Sequence, residues 1–403
     1  MTTNRSKSRR DFLKTGLTGV AGMAVMSCTG DNAGNDAEKK PGIVTRKLGR
    51  TGIELPVISI GTGDTNDSGL IKAALDKGVM LLATSEYYGN GNNEKMLADI
   101  FDKQGKGKAI VVTSTAPDNY DYRKGVFNEG ARVEPFLERF EGSLRRFGDH
   151  GVDILLLPSM ATKESVFYEP YLRAMEDIKK QGKARFLGIA THSLEDEALR
   201  AAADTGVYDV AMVAYNYRKK NLEQLDEAID YAAGKGMGII AMKTMAGSYL
   251  DEERTRPVNT TASLKWVLRN KNIHTAVPGV TTFDQLNSDF AIMADMALTD
   301  EEKKDLDLSL RHSQFVHYCQ QCGWCVPQCW LALDIPTILR SHRYALGYRN
   351  LVHAWETLFL AINDSNPCKG CTSCTVSCEM GYDVSGKIAR IARLKEVPRE
   401  FLG

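Results

Sequence analysis

Eight of the nine cysteines fall near the C-terminal end, in two copies of one pattern. Cys319, Cys322, Cys325 and Cys329 make the first copy, and Cys368, Cys371, Cys374 and Cys378 the second, each reading C-x2-C-x2-C-x3-C. That spacing suits a cubane [4Fe–4S] cluster, because two-residue gaps let three thiolates converge from one tight loop. The fourth cysteine starts a helix and can serve its own cluster or reach across to the other. Structural zinc takes its four ligands as two separated pairs, which leaves a third cysteine at the same gap surplus. Disulfides would have to close within C-x2-C loops, a redox-active geometry more than a structural one. Two [4Fe–4S] clusters are expected. Disulfides, zinc, or one cluster with spare thiols stay open beside them.

Those loops need a body to carry them. The chain has 403 residues, 43% hydrophobic and 25% charged, enough for one large domain and a smaller one. Its 51 basic and 51 acidic side chains cancel, which removes the electrostatic argument for nucleic acid as a partner. No apolar run approaches the roughly 18 to 20 residues of a membrane-spanning helix.

The N-terminus reads as an address. Ser8-Arg9-Arg10-Asp11-Phe12-Leu13-Lys14 precedes a Gly-rich, mildly apolar run from Thr15 to Ser27, as in a twin-arginine export signal. That route carries proteins already folded around their cofactors, which suits clusters built in the cytoplasm. Cys28 after Ser27 resembles a lipoprotein processing site and would give a membrane anchor, although Met26 is unusual there and plain cleavage stays open. The expected organisation is a signal over 1–28, a polar tether over 29–42, a catalytic-type barrel over 43–298 and a cluster domain over 299–403. The expected location is periplasmic or anchored on the outer side of the cytoplasmic membrane.

From Val57 onward, short apolar runs alternate with amphipathic helical patterns. Strands are expected at Val57–Gly61, Met80–Thr84, Ala109–Thr113, Asp153–Leu157, Phe186–Ala190, Val210–Tyr215, Gly238–Met242 and Thr275–Pro278. Helices such as Glu134–Phe147 and Leu222–Gly234 lie between them. Near-continuous apolar strands are those buried on both faces. Eight such units predict an α/β fold of the (β/α)8, or TIM-barrel, type, with a doubly wound sheet as the alternative. In a barrel the chemistry gathers at the strand C-termini, here Thr62, Tyr88, Thr113, Ser114, Ser159, His192, Asn216 and Lys243.

The same stretch resembles the aldo-keto reductases. Arg46-Lys-Leu-Gly-Arg-Thr-Gly-Ile-Glu-Leu-Pro-Val resembles their opening hairpin, and Gly78 to Gly89 their second-strand motif. Ser143-Leu-Arg-Arg-Phe-Gly, Val152 to Leu157, Gly182 to Ile189, Met242-Lys243-Thr244 and Val277-Pro278-Gly279 resemble later motifs in order. Some members of that family carry a C-terminal ferredoxin-like extension, which the cysteine motifs resemble. The resemblance implies a catalytic Tyr88. It implies a dinucleotide, NADP(H), held by Gly61, Thr62, Asn216, Lys243, Pro278, Gly279 and Thr281. It also exposes losses. The family's Asp position is Ala83, its Lys falls on Ser114 or Thr115, and its His falls on Pro158. Met242 stands for a ring-stacking aromatic and Asp289 for an adenine-side Asn. Without a neighbouring ammonium, nothing evident lowers the Tyr88 phenol from its ordinary value near 10.

His192, Lys243 and Glu86 are the candidate replacement groups, each weighed against a purely structural role. Trp324, between two cluster ligands, is read as a shield. Ser341–Trp355, which contains His342, Arg343, Tyr344, Tyr348, Arg349 and His353, is read as a helical cover over the clusters. The leading expectation is an exported oxidoreductase acting on a small carbonyl, alcohol or sugar-like substrate, with electrons passed through the clusters to or from a redox partner. The alternative is an inactive barrel that serves as a binding or electron-transfer subunit.

Overall fold

The computed structural model describes residues 42–122, 124–245, 256–311, 319, 325–347, 349–359, 361–378 and 381–402. The expected signal, Cys28 and all of the tether but Gly42, together with Cys322, Trp324 and Tyr348, lie outside the described residues.

Eight parallel strands are joined in sequence order. They are β1 (Ile60–Gly61), β2 (Leu81–Ala83), β3 (Ile110–Ser114), β4 (Val152–Pro158), β5 (Ala184–Thr191), β6 (Val210–Ala214), β7 (Gly238–Met242) and β8 (Thr275–Ala276). Parallel bridges Ile58↔Ala276 and Gly61↔Gly279 join the last strand to the first and close the barrel. The helices that follow the strands are α1 (Ser68–Asp76), α2 (Asn92–Gln104), α3 (Glu134–Phe147), α4 (Glu169–Lys180), α5 (Glu195–Thr205), α6 (Leu222–Gly234), α7 (Thr260–Leu268) and α8 (Phe283–Ala291).

The strand period of two divides each strand between two cores. Leu81, Ile110, Val112, Ile154, Leu156, Met212 and Ile240 fill the barrel interior. Their neighbours Leu82, Val111, Leu155, Val213 and Ile239 face the helices. This is why the strands read as unbroken apolar runs. An antiparallel hairpin, Thr45–Lys47 with Glu54–Pro56, plugs one end and buries Leu48 and Leu55 among the interior residues. Its turn requires glycine: Gly49 has φ +48°, and a Cβ there would lie 2.4 Å from the Gly238 nitrogen.

After the barrel comes α9 (Asp300–Arg311), tied back to it by Lys265–Glu302 at 3.0 Å and by the Tyr217 and Ser309 hydroxyls. A third core follows, built on α10 (Ile335–His342), α11 (Leu351–Phe359) and α12 (Val384–Ala392). Asp334 and Asp383 cap α10 and α12 by accepting from the Thr337 and Gly386 amides. Cys325, Ile338, Leu339, Tyr344, Ala354 and Ile388 meet in this core, with Cys319, Cys329, Cys368 and Cys378 packed at its edge. Among the described residues no helix is long and apolar enough to cross a membrane.

Candidate active site at the barrel mouth

Tyr88 lies in the loop after β2, beside Tyr87 with ring centroids 5.2 Å apart. It is covered from outside the barrel. The His353 ring of α11 meets Tyr88 edge-on at 5.1 Å, and the Tyr344 ring lies 4.1 Å from the same His353. The Gly89 amide donates to the Glu356 carboxylate at 3.3 Å, and Arg399 Nη2 holds that carboxylate at 2.8 Å. Within the Ser341–Trp355 run, residues 341–347 and 351–355 are helical; Tyr344, Ala345 and Ala354 pack in the core that includes Cys325, and His353 also reaches the barrel mouth. A π-helical turn over Arg343–Gly347 aims Tyr344 there.

Lys243 ends β7 in the left-handed region, at φ +57°, and its Nζ donates to the Tyr344 hydroxyl at 2.8 Å. His192, at the end of β5, keeps Nδ1 sealed from solvent with no hydrogen-bond partner among the described residues. Burial holds this imidazole well below its ordinary value, and the charges of Arg340, Lys243, Lys219 and Arg343 push the same way. Both effects favour the neutral ring. Burial also raises Tyr88 well above 10; Tyr87, Tyr344 and Asp64 add to the rise, and Arg340 opposes it. Glu86 is raised mainly by burial, against the Ala116 amide and Arg139, which lies 3.8 Å away.

The other strand-end residues are spent on architecture. Thr62 Oγ1 donates to Asn93 Oδ1 at 2.6 Å, and Thr84 donates to the same oxygen at 2.7 Å. Thr113 donates to Glu94, itself buried against Arg146. Asn216 Nδ2 donates to the Lys243 carbonyl at 3.1 Å. Ser159 accepts the Tyr120 hydroxyl on its carbonyl. Ala83, Ser114 and Pro158 close β2, β3 and β4, and Thr115 follows Ser114, so no carboxylate, ammonium or imidazole comes from those three strand ends.

Of the residues expected to hold a dinucleotide, Gly61, Pro278, Gly279 and Thr281 lie along the seam between β1 and β8, whereas Asn216 and Lys243 follow β6 and β7. Gly61 donates its amide to the Pro278 carbonyl at 3.0 Å, and Thr281 gives amide and hydroxyl to Gln285. The Asp64 carboxylate crowds Gly279, so that a Cβ there would meet Asp64 Oδ2 at 2.5 Å. A negative charge at the turn where phosphates would lie is the opposite of a phosphate cradle.

The two cysteine motifs are stitched together. Gln328, between Cys325 and Cys329, accepts the Ser377 amide at 2.8 Å and donates to the Ser377 carbonyl at 3.2 Å. Thr375 donates to the Gln328 carbonyl at 3.0 Å. Burial raises the Cys368 thiol, and Cys371, Cys374 and Cys329 add to the rise. Cys329 of the first motif therefore lies within electrostatic reach of the second. Among the described residues no disulfide joins these cysteines, and no three His, Cys, Asp or Glu side chains are gathered tightly enough to hold a metal.

Residues 63–262 match the aldo/keto reductase family. The barrel belongs to that family, a family of oxidoreductases. L-galactose dehydrogenase of Arabidopsis thaliana is 24% identical over 63% of this chain and 89% of its own length. The aldo-keto reductase YhdN of Bacillus subtilis is 28% identical over 38% of this chain, and the match spans only 49% of YhdN. Among solved structures, aldo-keto reductase AKR11C1 of Bacillus halodurans superposes with a TM-score of 0.52 at 18% identity, covering 66% of this chain and 96% of that one. The thermostable aldo-keto reductase Tm1743 gives 0.51 at 21% identity, over 66% and 99%. These structures share the fold. The match to AKR11C1 takes in two thirds of this chain.

Tyr88 was legible from the sequence. The contributions of Tyr344, His353 and Glu356 to the mouth were not. The one available signal was the density of aromatic and basic residues between the cysteine motifs, which was read as covering the clusters.

Proposed function

We propose that the protein is an exported oxidoreductase that acts on a small carbonyl, alcohol or sugar-like substrate at the barrel mouth and holds two [4Fe–4S] clusters. The contact of His353 with Tyr88 carries this reading. A segment serving only as a relay to a distant partner has no need to bury its own rings on the mouth of a catalytic-type barrel.

The cysteines fit clusters in one respect that the structure bears on: the stitching by Gln328 brings Cys329 toward Cys368, Cys371 and Cys374. Those four would hold one cluster, and Cys319, Cys322 and Cys325 with Cys378 the other, in the crossed arrangement that the spacing permits. Such clusters supply one-electron transfer. Export by the twin-arginine route, with or without a lipid on Cys28, belongs to the same reading. No step is assigned to NADP(H), because Asp64 lies at the phosphate turn.

The second reading, an inactive barrel within an electron-transfer assembly, is favoured by Ala83, by Ser114 or Thr115, and by Pro158 at the positions where the family has ionisable groups. Anaerobic purification with iron, sulfide and nucleotide analysis separates the cases. About eight irons per chain without nucleotide is the expected result. Tightly bound NADP(H) would return the protein to the family's usual chemistry, and little iron in strictly anaerobic protein would remove the clusters.

A further inference from the structure

The barrel mouth holds two phenols against one imidazole, and they are not equally equipped. Tyr88, the one that the resemblance marks, has no ammonium on its hydroxyl among the described residues, and both burial and neighbouring Tyr87, Tyr344 and Asp64 resist its ionisation. Tyr344 comes from the cysteine-bearing segment, 101 positions away from Lys243, yet accepts a hydrogen bond from Lys243 Nζ at 2.8 Å. The same ammonium lies 4.9 Å from the Tyr344 ring centroid, so it sits against the phenol rather than brushing it. Tyr344 is only 6% exposed.

We propose that Tyr344, held by Lys243, is the proton donor and acceptor of this enzyme, so that its active site is assembled from the barrel and the C-terminal segment together. This deepens the oxidoreductase reading and rests on it. In the reducing direction, hydride from a donor of the dihydronicotinamide class reaches the carbonyl carbon, the donor being oxidised to the nicotinamide. The O–H bond of Tyr344 breaks as a new O–H bond forms on the substrate oxygen, giving the alcohol. The phenolate left behind lies on the Lys243 ammonium, and solvent returns the proton. A dihydronicotinamide ring without its dinucleotide phosphates suffices for this step, which frees it from the turn that Asp64 occupies.

The electrostatics suit the direction. Burial pushes Tyr344 up to about 12, while Arg340 and Arg343 pull it down and Asp64 pushes it up, so the phenol is protonated at neutral pH and ready to donate. Its conjugate base is the form that Lys243 and the two arginines stabilise. Lys243 acts through Tyr344 and is a positioning residue. His353 packs on both rings and fixes where the phenol points.

The test has two arms on the full chain purified anaerobically. In the first, difluorotyrosine is placed at position 344, and its ionisation is followed by fluorine NMR with Lys243 intact and in Lys243→Met. The expected result is a shift of that ionisation to higher pH in the variant. In the second, 4-nitrobenzaldehyde is reduced with NADPH or with 1-benzyl-1,4-dihydronicotinamide. Tyr344→Phe is expected to lower kcat by about 100-fold or more with little change in KM, and Lys243→Arg to retain more turnover than Lys243→Met. Wild-type turnover combined with an unmoved ionisation, or with Tyr344→Phe within threefold of wild type, overturns the pair while leaving an oxidoreductase. No wild-type turnover with either donor overturns the oxidoreductase reading itself, and the catalytic role of the pair falls with it.

Discussion

Asp289 shows what a single residue contributes to this fold. It sits in α8, 5% exposed, at the position where the resemblance puts an asparagine, and burial raises its carboxyl to about 7. A carboxyl whose pKa is raised in the folded state binds its proton more tightly there than in the unfolded chain. Stability is therefore greatest below the unfolded value near 4, and falls as pH rises toward 7. Asp289→Asn removes that loss. It should leave stability at pH 4 nearly unchanged and raise it at pH 8 by up to about 4 kcal/mol, the full worth of a three-unit shift. Urea unfolding at the two pH values measures this, and an equal effect at both would show that Asp289 is not a buried acid. This residue was legible as a departure from the family, and Tyr88 as an agreement. Lys243 was legible as a strand-end cation only. Its partner Tyr344 lies on a segment whose docking no local pattern encodes, and the hydrogen bond between them emerges only in the folded chain.

At the scale of elements, β7, α3 and α6 run from the same first residue to the same last as the sequence pattern predicts, because apolar period and glycine boundaries coincide there. β1 and β8 are shorter than expected: Val57–Gly61 narrows to Ile60–Gly61, and Thr275–Pro278 to Thr275–Ala276. At the seam, pairing is reduced to the isolated bridges of Ile58 and Gly61. Hydrophobicity marks burial, and burial continues where ladder pairing stops. The cysteine loops were legible by spacing, whereas the element that joins them was not. Gln328 presents its side-chain amide to the backbone of Ser377 as a strand would, accepting from the nitrogen and donating to the oxygen. Gln328→Ala removes both bonds and leaves the Thr375 contact. The expected outcome is a protein that folds, with its barrel unfolding unchanged, but loses iron–sulfur absorption faster on exposure to air. Equal loss rates in variant and wild type would mean that the two loops are held together by something other than this side chain.

Among the described residues the apolar side chains form three cores: one inside the barrel, a large one between its strands and helices, and a small one built on α10 to α12. A core drawn from Cys325 to Ala392 falls in the range where apolar burial alone supplies only about 3 to 5 kcal/mol, so small domains of this kind lean on covalent or metal cross-links. Among the described residues no disulfide serves here, and the cysteines that line the edge of this core are the candidates for that support. Removal of metal should therefore act on the molecule unevenly. Anaerobic protein stripped of iron by a chelator and a mild oxidant should keep the barrel's cooperative thermal transition and lose, or move to lower temperature, a separate transition from the C-terminal core. The cover should loosen with it, because α11 carries both His353 on Tyr88 and Glu356 on the Gly89 amide. Nitration of Tyr88 by tetranitromethane, located by mass spectrometry, should then rise in the stripped protein. The phenol is shielded in the intact chain by the same segment that the clusters would brace. One unchanged transition with Tyr88 equally unreactive before and after stripping would show that the C-terminal core stands without metal, and that the cysteines brace neither it nor the mouth it covers.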